Sequence, residues 1–93
     1  MDEGEPVELP ITGELDLHTF QPADLGELLP AYFDECRQRS IRSVRVIHGK
    51  GTGALRIGVH RLLERMQGIE SWTWPAAEQY GGWGATWVNL RAD

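Results

Sequence analysis

The sequence predicts a two-layer α/β sandwich of order βαβαββ, with two helices packed on a mixed four-stranded sheet. Three observations predict it. Two segments repeat apolar residues at three-and-four spacing, as amphipathic helices do: Leu25, Leu28, Leu29, Tyr32, Phe33 and Cys36, then Leu55, Val59, Leu62, Leu63 and Met66. Four short segments alternate apolar and polar residues or are rich in β-branched and aromatic ones, as strands are. The helical segments separate the first three strands, and helical connections favour parallel strands with right-handed crossovers. With 93 residues the chain is expected to form one domain with a modest core.

Residues 1–13 carry Asp2, Glu3, Glu5, Pro6, Glu8 and Pro10. They are expected to be an acidic, mobile tail ahead of a domain spanning 14–93. Val7, Leu9 and Ile11 alternate, so the end of this tail could also lie as an extended edge segment. Leu15 to His18 alternates as a first strand. Gln21-Pro22 opens the first helix, with proline at its first position and Asp24 in its first turn. Pro30 removes a backbone donor inside that helix and is expected to kink or split it. Ser43 to Ile47 is the second strand. The second helix is expected to end at Gly68. Ile69 to Trp74 is the third strand, stopped by Pro75; residues 76–84 are a loop; Ala85 to Arg91 is the fourth strand.

Net charge is −5, which by itself disfavours a polyanionic partner. The distribution argues the other way. Residues 1–36 hold ten acidic side chains and no Lys or Arg. Residues 37–65 hold eight Lys and Arg against Glu64 alone, a local balance of +7. Either this segment steers an anion, or its charges form a solvated helix face paired with the acidic first half. The lone Cys36 excludes an internal disulfide and fits a cytoplasmic protein. No apolar run is long enough for a membrane helix, and no basic-then-apolar leader is read. A cytoplasmic location is expected, with no membrane partner.

Asp16 and His18 are two apart on a strand and so share a face. A carboxylate that orients an imidazole lets the ring move a proton. One Asp-x-His is a weak signal alone. In His48-Gly49-Lys50-Gly51-Thr52-Gly53 three glycines free the backbone to present N–H groups, the next helix adds its positive end, and Lys50 adds a mobile cation. The run is not an ATP-type P-loop, because no glycine stands five residues before Lys50 and no Ser or Thr follows it. As a dinucleotide fingerprint it fails at Glu70, which begins a strand instead of ending one. A tight turn with close helix packing is the plainer alternative. Gly81-Gly82-Trp83-Gly84-Ala85-Thr86 is a third glycine-rich element, which alone reads as a flexible loop.

Topology joins the three. Parallel first and second strands bring His18 and His48 to one carboxyl edge, where ligands of open α/β sheets gather. A parallel third strand would bring residues 81–84 there too. Trp83 or Trp87 could then stack on a base, while Trp72, Trp74 and Trp87 equally suit the core. His60 is expected to be a surface or packing residue. The His and Cys spacing fits no zinc site.

These residues resemble the three signatures of the Smr (small MutS-related) domain family. Leu15-Asp16-Leu17-His18, His48-Gly49-Lys50-Gly51 and Gly81-Gly82-Trp83-Gly84-Ala85-Thr86 stand in the family's order, and the similarity covers about residues 15–90. The resemblance implies a fold similar to the C-terminal domain of bacterial translation initiation factor three. It also implies nucleic-acid binding and, as in many members, endonuclease activity that nicks DNA or cleaves RNA. It puts Asp16 and His18 in the catalytic role and His48, Gly49 and Gly51 in substrate binding or activity. The glycine that often follows the family's first histidine is Thr19 here, which narrows backbone freedom beside His18.

The expectation is therefore a monomeric Smr-type endonuclease acting on DNA or RNA. Asp16 and His18 would be catalytic. His48, Gly49, Lys50, Gly51 and Gly53 would bind substrate with Arg45, Arg56, Gly82, Trp83 and Gly84. No cofactor is expected, with a divalent metal considered only for DNA. Two alternatives remain: a nucleic-acid or ribonucleoprotein binding module without chemistry, and a protein-interaction domain using its Trp-rich surface.

Overall fold

A computed structural model describes residues 10–92. The order is β1 (Glu14–Asp16), α1 (Leu25–Gln38), β2 (Ser43–Ile47), α2 (Ala54–Arg65), β3 (Ile69–Thr73) and β4 (Ala85–Leu90), with short 3-10 turns at Pro22–Asp24, Glu78–Tyr80 and Gly82–Gly84. This is the mixed α/β sandwich that the sequence predicts. The tail expectation for residues 1–9 lies outside the described residues. Ile11, just beyond them, packs against the core.

The four strands form one sheet of order β1-β2-β4-β3. β1 and β2 are parallel, with Leu15 opposite Val46. β4 runs antiparallel to both β2 and β3. β2 and β3 therefore point the same way, as their helical connection favours, but they do not touch. β4 lies between them. The three loops that follow β1, β2 and β3 consequently leave from one carboxyl edge.

Alternation along the strands sorts the faces. Leu15, Val44, Val46, Val88 and Leu90 point down to the helices and are buried. α1 contributes Leu25, Leu29, Tyr32, Phe33 and Cys36, and α2 contributes Val59 and Leu63. Burying a side chain of this size contributes about 1.5–3 kcal/mol, so this interlayer core is the main adhesive of the fold. Tyr32 also ties the first strand to α1. Its hydroxyl donates to the Glu14 carbonyl at 3.1 Å and accepts from the Gly13 N–H at 3.3 Å.

Several boundaries differ from expectation. β1 ends at Asp16, so His18 lies beyond the strand, although the Leu17 N–H still donates to the Ile47 carbonyl at 2.8 Å. The first helical segment opens with a 3-10 turn at Pro22, and the Gln21 N–H donates to the Asp24 carboxylate at 2.9 Å. Pro30 does not split α1, which runs on to Gln38. One lost bond in the second turn is outweighed by Leu29, Tyr32, Phe33 and Cys36, which anchor the helix to one core. α2 stops at Arg65, before Gly68. Trp74 and Arg91 fall just outside the ends of β3 and β4.

Candidate functional site

The site is built where β1, β2 and β3 end and β4 begins. At β1, one carboxylate oxygen of Asp16 accepts two hydrogen bonds from His18: from its backbone N–H at 3.0 Å and from its ring Nδ1 at 3.1 Å. The His18 backbone N–H first, with its ring adding, holds the Asp16 carboxyl below the usual carboxylate range; slight burial acts the other way. The His18 side chain is 76% exposed. With Nδ1 on Asp16, Nε2 faces solvent and is free to take or give a proton.

At β2 the chain turns through the glycine run. Gly49 has φ +81 and Gly53, at the start of α2, has φ +90. Both lie in the left-handed region, where a side chain is strained. A Cβ on Gly53 would also meet the Arg56 guanidinium at 3.0 Å. The loop is fixed at its base, where the Gly84 carbonyl accepts from both the His48 and Gly49 N–H groups at 2.9 Å. No described hydrogen bond uses the N–H groups of Lys50, Gly51 or Thr52. Amides of this kind, next to the positive end of a 12-residue helix, suit an anion.

His48 is the residue whose place was least legible. Its side chain points inward and is only 7% exposed. Nδ1 donates to the Gly49 carbonyl at 3.1 Å, and Nε2 is 2.9 Å from the Thr86 hydroxyl. The same hydroxyl is 2.8 Å from His60 Nε2. One set of protons satisfies the whole chain: His60 donates to Thr86, Thr86 to His48, and His48 to Gly49. Burial pushes the His48 imidazole pKa down, with the Gly49 carbonyl opposing and the charge of Arg56 assisting. His60 is pushed down to about 4, by burial first and then by His48 and Arg56. Both rings are thus neutral near pH 7.

The sequence placed His60 only as a surface or packing residue and Thr86 only at the end of the third glycine-rich element, so their shared hydrogen bond was missed. The signal was a pair of spacings. Arg56 and His60 are one helical turn apart on α2, and Trp72 on the facing strand and Trp74 just past its end are two apart. His60 stacks on Trp72 at 4.5 Å between ring centroids, and Arg56 lies 4.3 Å from the Trp74 ring centre. His60 is thus a packing residue, as expected, and a hydrogen-bonding one as well.

The remaining candidates divide. Lys50, Arg56, Gly82, Trp83 and Gly84 converge on the carboxyl edge. Lys50, Arg56, Trp74 and Trp83 line a cleft of about 170 Å³ with the glycine run. Arg45 does not join them: it lies mid-strand on the helix-free face and pairs with Glu14 at 3.0 Å. Arg37 pairs with Asp34, and Arg39 with Glu35. The acidic first half therefore neutralises part of the basic segment. Among the described residues no ion pair engages Lys50 or Arg56. No three His, Cys, Asp or Glu side chains gather as a metal site among the described residues. No helix there is long and apolar enough to cross a membrane.

Fold and site together define a small α/β sandwich with an exposed acid–imidazole pair and a glycine-rich loop with unclaimed amides on one sheet edge. The Smr domain family model matches residues 15–91, and the chain belongs to that family. It is 39% identical over 80 residues to endonuclease MutS2 of Lactobacillus gasseri and 40% identical over 78 residues to that of Geobacillus thermodenitrificans. Those alignments take in 86% and 84% of this chain but 10% of each relative. Among solved structures, the Smr domain of Thermus thermophilus MutS2 superposes with TM-score 0.77 at 36% identity, covering 84% of this chain and 96% of that one. YdaL, a stand-alone small MutS-related protein from Escherichia coli, superposes with TM-score 0.76 at 25% identity, covering 85% and 64%.

Proposed function

We propose that this chain is a nucleic-acid endonuclease in which Asp16 and His18 carry the chemistry and the glycine run holds the backbone. The observation that carries the reading is the 3.1 Å contact of His18 Nδ1 with Asp16 on the edge that also bears the loop. Asp16 fixes the tautomer, so the exposed Nε2 is the atom that moves a proton. Lys50, the amides of the loop and the N-terminal turn of α2 would grip the flanking phosphates. On RNA, Nε2 would take the proton of the 2′-OH as that oxygen attacks the adjacent phosphorus, and the leaving 5′ oxygen would take a proton back from the His18 imidazolium or from water. On DNA the nucleophile is water. A divalent ion held there by Asp16 and substrate oxygens would lower the pKa of that water, since magnesium sites often use one carboxylate and substrate phosphates. The name of the MutS2 relatives supports this reading.

His48 enters as a positioning residue, because both of its ring nitrogens are engaged within the protein. Arg45 is dropped from the backbone contacts because Glu14 holds it. Plasmid nicking and cleavage of structured RNA by the wild type, His18→Ala and Asp16→Ala test the assignment. Activity is expected in the wild type and in neither variant. Equal activity in all three would overturn it.

The second reading is a nucleic-acid binding module without chemistry. One observation favours it. Among the described residues no third titratable side chain is bonded to the Asp16–His18 pair, so a single imidazole would have to serve as base and acid in turn. That reading expects salt-sensitive binding in the wild type with no cleavage of any substrate.

A further inference from the structure

Trp83 is the most exposed large apolar side chain of the described residues, at 61%. A free indole on a surface needs a reason, and its surroundings limit what the reason can be. The ring is held from behind. Trp74 meets it edge-to-face at 4.9 Å between centroids, and the Trp74 indole N–H donates to the Trp83 carbonyl at 3.0 Å. Arg56 in turn covers Trp74. The indole is thus presented on a stiff support, which keeps down the ordering cost of anything that binds it.

Trp83 stands between two clefts, and Lys50 lines both. One, of about 170 Å³, adds the glycine run, Arg56 and Trp74. The other, of about 330 Å³, adds Pro75, Ala76, Glu78, Gly81 and Gly82. The first is smaller than the roughly 300–1,000 Å³ of a pocket for a whole small ligand, so it suits one part of a larger molecule. A flat apolar ring beside a cation and unclaimed amides matches a base joined to a phosphate. Glu78 disfavours an anion in the second cleft, which leaves the phosphate on the loop side. Trp87 is a poorer platform: it is half-buried on the helix-free face under Tyr80, at 5.0 Å between centroids.

We propose that Trp83 is the stacking platform for one unpaired nucleotide, with its phosphate against Lys50 and the glycine run, so that the substrate is a nucleic acid carrying a single-stranded or extruded base beside the cut bond. The proposal rests on the nucleic-acid reading above and narrows its substrate class. A base within a duplex is covered on both faces by its neighbours and cannot lie on an indole. The distance to the chemistry is short. β4 begins two strand spacings from β1, about 10 Å at roughly 4.8 Å each. Nucleotides stacked about 3.4 Å apart cover that in three, and an extended strand in fewer.

The test is fluorescence anisotropy at fixed low salt with a labelled 12-nucleotide single strand and a blunt duplex of the same sequence, in RNA and DNA forms. The proteins are the 93-residue chain, Trp83→Ala and Trp83→Phe, each checked for an unchanged melting temperature. Trp83→Ala is expected to weaken single-strand binding about 5- to 100-fold and duplex binding less than about twofold. Trp83→Phe, which keeps a stacking face, is expected to stay within about threefold of the wild type. Equal losses on both substrates, or no loss on either, would overturn the platform and leave the endonuclease reading standing. No binding of any oligonucleotide by the wild type would overturn both.

Discussion

The Asp16–His18 pair and the His48–Thr86–His60 chain lie on neighbouring parts of one sheet edge and use the imidazole in opposite ways. His18 is exposed, engages one nitrogen and leaves the other to solvent. His48 is buried, with one nitrogen on a backbone carbonyl and the other on Thr86, itself shared with His60. The comparison teaches what a histidine proposed to move protons has that a structural one lacks. A ring that transfers protons needs a free nitrogen and room to become charged. A ring between two fixed partners in a dry site resists charging and holds the backbone instead. His48 connects through Gly49 and Thr86 to the base of the loop, so its effect on substrate would pass through the loop's shape.

Substitution should pull these two regions apart. The largest expected effect is His18→Ala, which should lower cleavage about 10²- to 10⁴-fold, the usual contribution of a general acid–base group. Its stability should stay within about 0.5 kcal/mol of the wild type, as for exposed positions. A large fall in melting temperature for this variant would erase the distinction drawn above.

Thr86→Val should show the reverse pattern. It keeps the shape and leaves two ring nitrogens, the buried one of His48 and the part-buried one of His60, without their partner, at about 1–3 kcal/mol. Melting temperature should fall by about 4–8 °C for each kcal/mol in a domain of this size. Thr86→Ser should recover most of the loss. Thermal unfolding checks both, and an unchanged Thr86→Val would mean that the hydroxyl bridges nothing.

The buried chain also predicts a pH dependence. His60 titrates at about 4 in the folded protein against its usual 6.5, and His48 is shifted the same way. The unfolded chain therefore binds more protons in that window, and stability rises with pH across it. The contribution is present above about pH 6.5 and is lost as pH falls toward about 4. His60→Gln, which keeps a donor for Thr86, should flatten melting temperature over this range; an unaltered slope would place the titration elsewhere. Lys50→Gln should have the smallest effect. It should reduce the salt slope of nucleic-acid binding by about one unit and leave stability unchanged.

Much of this edge was legible before any coordinates. The Asp16–His18 contact spans two residues; the strand ends at Asp16 and the His18 N–H turns back onto its carboxylate, so local geometry brings the groups together. The glycines of the run announce a turn that needs positive φ, and Gly49 and Gly53 adopt it. Both helices follow from their apolar spacing. Pro30 misled because a local rule about one missing hydrogen bond competes with the burial of Leu29, Tyr32, Phe33 and Cys36. Arg45 misled because composition counts its charge without showing that Glu14 lies beside it on the paired strand. The inward turn of His48 was not legible, because nothing nearby in the chain says that Thr86 lies within reach.

What the sequence by itself determined is local: which segments are helix or strand, the pairing of Asp16 with His18, and the turn that the glycines permit. These depend on residues a few positions apart, whose geometry is set by backbone periodicity. Only the tertiary structure decided the rest. By lying between β2 and β3, β4 sets Thr86 between His48 and His60, joins Gly84 to the glycine run and brings Trp83 beside Lys50. Those contacts join residues 26 to 38 positions apart in the network and 33 or more at the loop. They depend on strand order and register, which the whole core selects and no local pattern encodes.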